Sequence, residues 1–385
     1  MANPFTFATA TEILFGRGQA AIAADRIAAL GSRVLLVHGK NPARSDGLRR
    51  DLSARSCALT SYPVASEPDI AMIETGIDTA RSGNAEIVVA VGGGAVIDAG
   101  KAIAALVPAS RPMLDHLEVV GQGLPLDHAP LPFIAMPTTA GTGAEVTRNA
   151  VIGVPEHRRK VSLRDARMLP RLAIVDPALA DGCPPAVTLA SGLDAITQVI
   201  EPYICTRANP LTDALCRDAI PRGLAALRRL MEEGEDARAR DEMAWVSLCG
   251  GLALANAGLG AVHGLAGPLG GLTGAAHGAI CGALLPHVLR ANRRAVFSDD
   301  TARRLDEIGA WINEVFGNGE AGLERGANML ADWSHAHGLE TLTGLGIDEE
   351  AQTAAAEAAA SSSSMKANPA ELSSAVLRDI MRAAN

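Results

Sequence analysis

Four side chains in the second half of the chain have the types and spacing of a metal site. Asp194 and Gln198 lie four residues apart in a helix-patterned stretch, SGLDAITQVIEPY, so they share one face amid apolar neighbours. His263 and His277 bracket the run GLAGPLGGLTGAA. That run reads as a break, which puts the two imidazoles on two elements that meet. One carboxylate and two imidazoles suit an open site for Zn²⁺ or Fe²⁺ with room for a substrate oxygen. Two isolated histidines are more often buried and satisfied, so their company is what favours a metal.

Two further clusters lie nearer the N-terminus. VVAVGGGAVIDAGK, residues 88–101, delivers a buried strand into three glycines and then a helix, a geometry that turns bare N–H groups and a helix's positive end toward an anion. It matches neither G-x-G-x-x-G nor a Walker A box. A tight strand-to-helix turn would need the same glycines. Met136–Thr147 follows a short apolar strand and interleaves Thr138, Thr139 and Thr142 with Gly141 and Gly143. Those hydroxyls could meet a phosphate or ribose, or cap a helix.

The elements that must position these groups divide at the Pro184-Pro185 pair. Before it, strand-like runs (5–9, 12–16, 34–37, 59–64, 87–91) alternate with helical stretches (18–30, 45–56, 70–82), the pattern of a parallel sheet with crossover helices. Residues 1–185 therefore read as a doubly wound α/β nucleotide-binding domain. Residues 186–385 read as an all-helical metal and substrate domain. A Ser361–Ser364 run and Asn368-Pro369 precede a last helix at about 370–383. Open α/β sheets bind ligands at the carboxyl ends of their strands, so a cleft between the domains is the expected site.

Composition narrows the ligands. The 385 residues are 48% hydrophobic and 20% charged but only 3% aromatic, and the net charge is −9. An acidic chain is a poor match for nucleic acid, whereas a small anion needs only local geometry. Four of the 34 basic side chains are lysines: Lys40, Lys101, Lys160 and Lys366. The six cysteines form no C-x-x-C pair, which suits core thiols in a reducing, cytoplasmic compartment. The N-terminal stretch lacks signal-peptide character, and no apolar run is long enough for a membrane span.

In order, GGGAVIDAGK, PTTAGTGAEVT, Lys160, VDPALA, GLDAITQVIEPY and the histidine pair with thirteen residues between them cover nearly the whole chain. This set resembles the iron-dependent (group III) alcohol dehydrogenases. That class includes maleylacetate reductases and is related to glycerol dehydrogenase and dehydroquinate synthase. The resemblance implies hydride transfer between NAD or NADP and an alcohol or carbonyl substrate, assisted by Fe²⁺ or Zn²⁺, in at least a homodimer. It assigns cofactor contacts to Gly93, Gly94, Ala95, Thr138, Thr139, Thr142, Asn149, Lys160 and Leu179, and metal contacts to Asp194, His263 and His277.

Three departures from the family pattern stand out. Gln198 occupies the place of a fourth ligand, a histidine. Gly267 stands where many members carry a histidine that helps move a proton, so no catalytic acid or base is assigned. Gly39, Lys40 and Asn41 follow the second strand where NAD-preferring members resemble one another in an acidic residue, which leaves NADP acceptable. Two alternatives remain. One is a maleylacetate-reductase-like enzyme that holds a dicarboxylate without metal, with Arg148, Arg158, Arg159 and Arg164 as candidates. The other is a non-catalytic nucleotide-binding protein with a decayed metal site.

Overall fold

Continuous apolar strands need cover on both faces, and the sheet that contains them has it. The computed structural model describes residues 4–317, 322–360 and 362–385. Residues 1–3 of the N-terminal stretch and Ser361 of the serine run lie outside the described residues. The first part of the chain runs β1 (Ile13–Phe15), α1 (Ala23–Ala28), β2 (Arg33–Gly39), α2 (Asp46–Ala54), β3 (Ala58–Val64), α3 (Ile70–Ser82), β4 (Ile87–Gly92), α4 (Gly94–Leu106), α5 (Met113–His116), β5 (Phe133–Pro137), β6 (Asn149–Val154), β7 (Arg159–Arg164) and β8 (Leu172–Val175). Six strands form one sheet in the order β1-β8-β5-β4-β2-β3, with every neighbouring pair parallel. β6 and β7 pair antiparallel as a separate hairpin.

Alternation along the strands sorts the two faces. Val34 and Leu36 of β2, Val89 and Val91 of β4, and Ile134 of β5 pack with Ile27 of α1 and Leu52 of α2. Their neighbours Leu35, Val37, Val88, Ala90 and Phe133 pack with Ile73 of α3 and with Ile97 and Ile103 of α4. Each such side chain, fully buried, contributes about 1.5–3 kcal/mol of transfer free energy. Residues 5–9, expected as a strand, form none; the sheet edge at β8 is taken by β1. The expected helices at 18–30 and 45–56 each open as a 3-10 turn, after Gly18 at φ 89° and at Pro42.

The rest is helical: α6 (Pro185–Ile204), α7 (Pro210–Glu232), α8 (Ala237–Asn256), α9 (Ala261–Thr273), α10 (His277–Ala295), α11 (Asp299–Phe316), α12 (Leu323–Ala336), α13 (Glu349–Ala359) and α14 (Ser374–Ala383). The glycine- and proline-rich run expected as a break is mostly the body of α9. Its propensity is poor, but Ala261, Val262, Leu265, Ala266 and Leu269 are all completely buried, and packing decides. Among the described residues no single helix is long and apolar enough to cross a membrane. The chain divides into two compact units. One holds Ala8–Thr139 and Gly143–Asp181, and the other holds Ala140–Thr142 and Gly182–Asn385 with the described residues up to Phe7.

Inside the α/β unit, one lysine ties helix to hairpin. The Lys101 ammonium on α4 is 1% exposed and donates to the carbonyls of Ala144 and Asn149 and to Thr147 Oγ1, at 2.7–2.8 Å. Burial pushes its pKa down to about 8, against the pull of Asp98 and Glu145. Burial likewise pushes the neighbouring Glu145 up to about 7 from its usual 4.5. Between those two values the folded state holds more protons at Glu145 than the unfolded chain, so its contribution to stability is lost as pH rises. Lys101 has the opposite sign above about pH 8, where the unfolded chain holds more protons. Urea titrations at pH 5 and pH 7.5 should show wild type losing on the order of 2 kcal/mol more than Glu145→Gln across that interval; equal losses would contradict the assignment.

Candidate functional site

Parallel strands end together, so the sheet brings distant segments of the α/β unit to one edge. Register places Gly92 of β4 beside Pro137 of β5, and His38 of β2 beside Val91 of β4. Thr138 N–H donates to Gly92 O at 2.9 Å. Gly93, Gly94, Ala95, Thr138 and Thr139 therefore meet at the carboxyl ends of the central strands, with Gly39, Lys40 and Asn41 beside them. The chain leaves β2 for β3 on one side and β4 for β5 on the other, with α2 and α4 on opposite faces. That divergence is the switch point where open α/β sheets hold nucleotides.

Details at this edge favour close approach. Gly93 precedes α4 without a side chain to cap it, and a Cβ there would stand 3.3 Å from Thr139 Oγ1. The first turn of α4 can thus offer N–H groups and its positive end to a pyrophosphate. Lys40 is exposed, Asn41 accepts from Ala43 N–H, and Arg44 donates to Leu179 O at 2.6 Å, which brings Leu179 to the β2 loop. Asn149 starts β6, its carbonyl taken by Lys101, and Lys160 on β7 pairs with Glu67 at 3.6 Å. Thr142 groups with the helical unit instead of the edge. The four arginines of the dicarboxylate alternative do not converge: Arg148 and Arg164 lie at one end of the β6–β7 hairpin, Arg158 and Arg159 at its turn, all exposed.

In the helical unit, three helices bring the second cluster together. Asp194 and Gln198 project from the same face of α6, His263 comes from the first turn of α9, and His277 is the first residue of α10. His263 Nε2 and His277 Nε2 stand 3.4 and 3.8 Å from Asp194 Oδ1. Cys281, one turn after His277, sets its Sγ 3.6 Å from His277 Nε2 and 3.9 Å from His263 Nε2. The donor atoms of these four residues all lie within 4.8 Å of one another. Asp194 Oδ1 is buried and has no hydrogen-bond partner among the described residues, an arrangement that costs about 1–3 kcal/mol or more unless a cation completes it. The residues fit a divalent cation.

Electrostatics agree. Burial works against the Asp194 carboxylate, yet the imidazoles of His263 and His277 outweigh it and hold the pKa below its usual value. At His277 burial disfavours the imidazolium, but Cys281 and Asp194 lift it to about 9. The cluster draws positive charge to itself.

Two functional residues are missing from the sequence-based assignment. Glu201, two turns after Asp194 on α6, accepts from His263 Nδ1 and Val262 N–H at 2.7 Å, which fixes the tautomer and aims Nε2 inward. Its seven-residue spacing from Asp194 is a usable signal. Cys281, grouped there with the core thiols, faces two imidazoles; the H-x3-C spacing marks it.

Likeness to known proteins agrees with this geometry. Residues 10–177 match the family model "Iron-containing alcohol dehydrogenase", and residues 188–385 match "Fe-containing alcohol dehydrogenase family, C-terminal". The chain is 34% identical to alcohol dehydrogenase 4 of Schizosaccharomyces pombe over 325 residues, covering 83% of this chain and 75% of that one. It is 36% identical to lactaldehyde reductase of Escherichia coli over 283 residues, covering 72% and 73%. The crystal structure of a 1,3-propanediol oxidoreductase superposes with a TM-score of 0.86 at 29% identity over the whole of both chains. With both family models matched in tandem and close relatives spanning most of its length, the chain belongs to the iron-containing alcohol dehydrogenases.

Proposed function

We propose that this protein interconverts a small alcohol and its aldehyde or ketone, exchanging hydride with NAD or NADP beside a divalent cation, Fe²⁺ or Zn²⁺. The observation that carries this is the convergence of Asp194 Oδ1, buried and without a hydrogen bond among the described residues, with two imidazole nitrogens. A cation held there supplies Lewis-acid polarisation of the substrate oxygen. Asp194, His263 and His277 would hold it, and Glu201 keeps His263 aimed. The switch-point edge supports a dinucleotide held by Gly39, Lys40, Asn41, Gly93, Gly94, Ala95, Thr138, Thr139 and Leu179, with Thr142, Asn149 and Lys160 as further contacts. Gly267 offers no side chain to carry a proton, and a Cβ there would meet nothing within 4 Å, so the proton route runs through water, the cofactor ribose or another side chain. Six free, buried cysteines support a cytoplasmic setting. Strand β1 ends the sheet with a half-exposed Phe15, which supports pairing of two copies as a homodimer.

Position matters as much as ligand identity. Gly278 follows His277, and a Cβ there would fall 2.4 Å from Ala190 O and 3.3 Å from Asp194 Cβ. Any side chain must therefore push α10 away from α6, at a typical cost of about 1–3 kcal/mol.

Three measurements test this function. Purified protein should oxidise NAD(P)H with a small aldehyde or ketone and lose that activity on chelation, with Zn²⁺ or Fe²⁺ restoring it; cofactor binding without turnover under any metal would instead favour the non-catalytic alternative. Steady-state rates should show NADPH used at least as well as NADH, because β2 is followed by Gly39, an exposed Lys40 and Asn41 instead of an acidic residue that would repel a 2′-phosphate; a strong NADH preference would refute that. Gly278→Ala should lower metal retention by about 10–100-fold while NAD(P)H affinity stays within about twofold, and unchanged metal content would rule out the positioning role.

A further inference from the structure

Gln198 and Cys281 compete for one role, and the structure separates them. Both side chains are buried beside Asp194 and the two histidines. Gln198 donates its amide Nε2 to the Gly141 carbonyl at 2.9 Å, which ties one end of the amide to the main chain. The Cys281 Sγ faces the two Nε2 atoms that also flank Asp194 Oδ1. The four measured separations, 3.4, 3.8, 3.6 and 3.9 Å, outline a compact cage. Donors around a tetrahedral Zn²⁺, with bonds of about 2.0–2.1 Å to nitrogen or oxygen and about 2.3 Å to sulfur, stand roughly 3.3–3.6 Å apart. All the donor atoms lie within 4.8 Å of one another, so drawing in around the ion would complete that geometry.

From this we propose that the Cys281 thiolate is the fourth protein ligand of the cation, that Gln198 is not a ligand, and that the sulfur biases the site toward Zn²⁺ over Fe²⁺. The inference rests on the metal-assisted function above and adds the donor set and its selectivity. Thiolate is a softer donor than an amide oxygen, and among N, O and S sites it favours zinc. The substrate oxygen then enters as a fifth ligand, an expansion that zinc tolerates.

Cobalt reports sulfur ligation directly. The full-length protein, stripped with a chelator and reloaded with Co²⁺, should show a thiolate-to-cobalt charge-transfer band in the near ultraviolet. Cys281→Ser should lose that band, bind Co²⁺ about 100-fold more weakly, beyond the usual cost of losing an outer-shell partner, and show a smaller Zn²⁺-over-Fe²⁺ preference in anaerobic competition. Gln198→Ala should keep the band and bind Co²⁺ within about twofold of wild type. Circular dichroism of each metal-free variant checks that it is folded. Cobalt bound to wild type without the band overturns the thiolate and leaves the metal-assisted function standing. No cobalt bound at all overturns both. Loss of cobalt in Gln198→Ala with retention in Cys281→Ser assigns the ligand to the amide.

Discussion

A carboxylate oxygen sealed inside a helical bundle, with no hydrogen bond among the described residues, is the constraint around which the C-terminal unit is arranged. Left alone, Asp194 Oδ1 would be a standing penalty. What offsets it must carry positive charge, and every nearby feature serves that end: two imidazoles at 3.4 and 3.8 Å, a thiol in reach of both, and a second acid that orients one of the rings. The glycine at 278 is explained by the same demand, because it allows α10 to bring His277 and Cys281 against α6. Stability and chemistry draw on the same atoms here.

Much of this is legible in the sequence, for identifiable reasons. Short apolar runs between helical stretches specify a parallel sheet nearly on their own, and a strand running into three glycines identifies the edge that can approach a ligand closely. Asp194 and Gln198 can be put on one face because i and i+4 in a helix always share one. Failures arise where local and tertiary preferences disagree. The segment from Gly264 to Ala276 contains five glycines and a proline, and nothing local announces that most of it will be helical. Residues 5–9 have strand-forming side chains but join no sheet, because the edge strand β8 is paired with β1 instead. Cys281 reads as a core thiol by its apolar neighbours, although its spacing from His277 places both on one face.

The two units solve different problems with different materials. At the sheet edge, the proposed binding surface consists of main-chain N–H groups and the absence of side chains, so residue identity there matters mainly as permission for close approach. In the helical unit, side-chain donor atoms make the site, and identity matters outright. This difference explains why Gln198 in place of a histidine forces the question of which other group completes the donor set.

The anchoring of Lys101 has a bearing on how such a protein can change. Two of its three hydrogen bonds end on the carbonyls of Ala144 and Asn149, which are main-chain atoms. Every amino acid supplies a carbonyl, so the lysine's hold on the loop does not depend on which side chains stand at 144 and 149. Whatever limits those positions, such as the burial of Ala144, the anchor itself passes unchanged through a substitution at either.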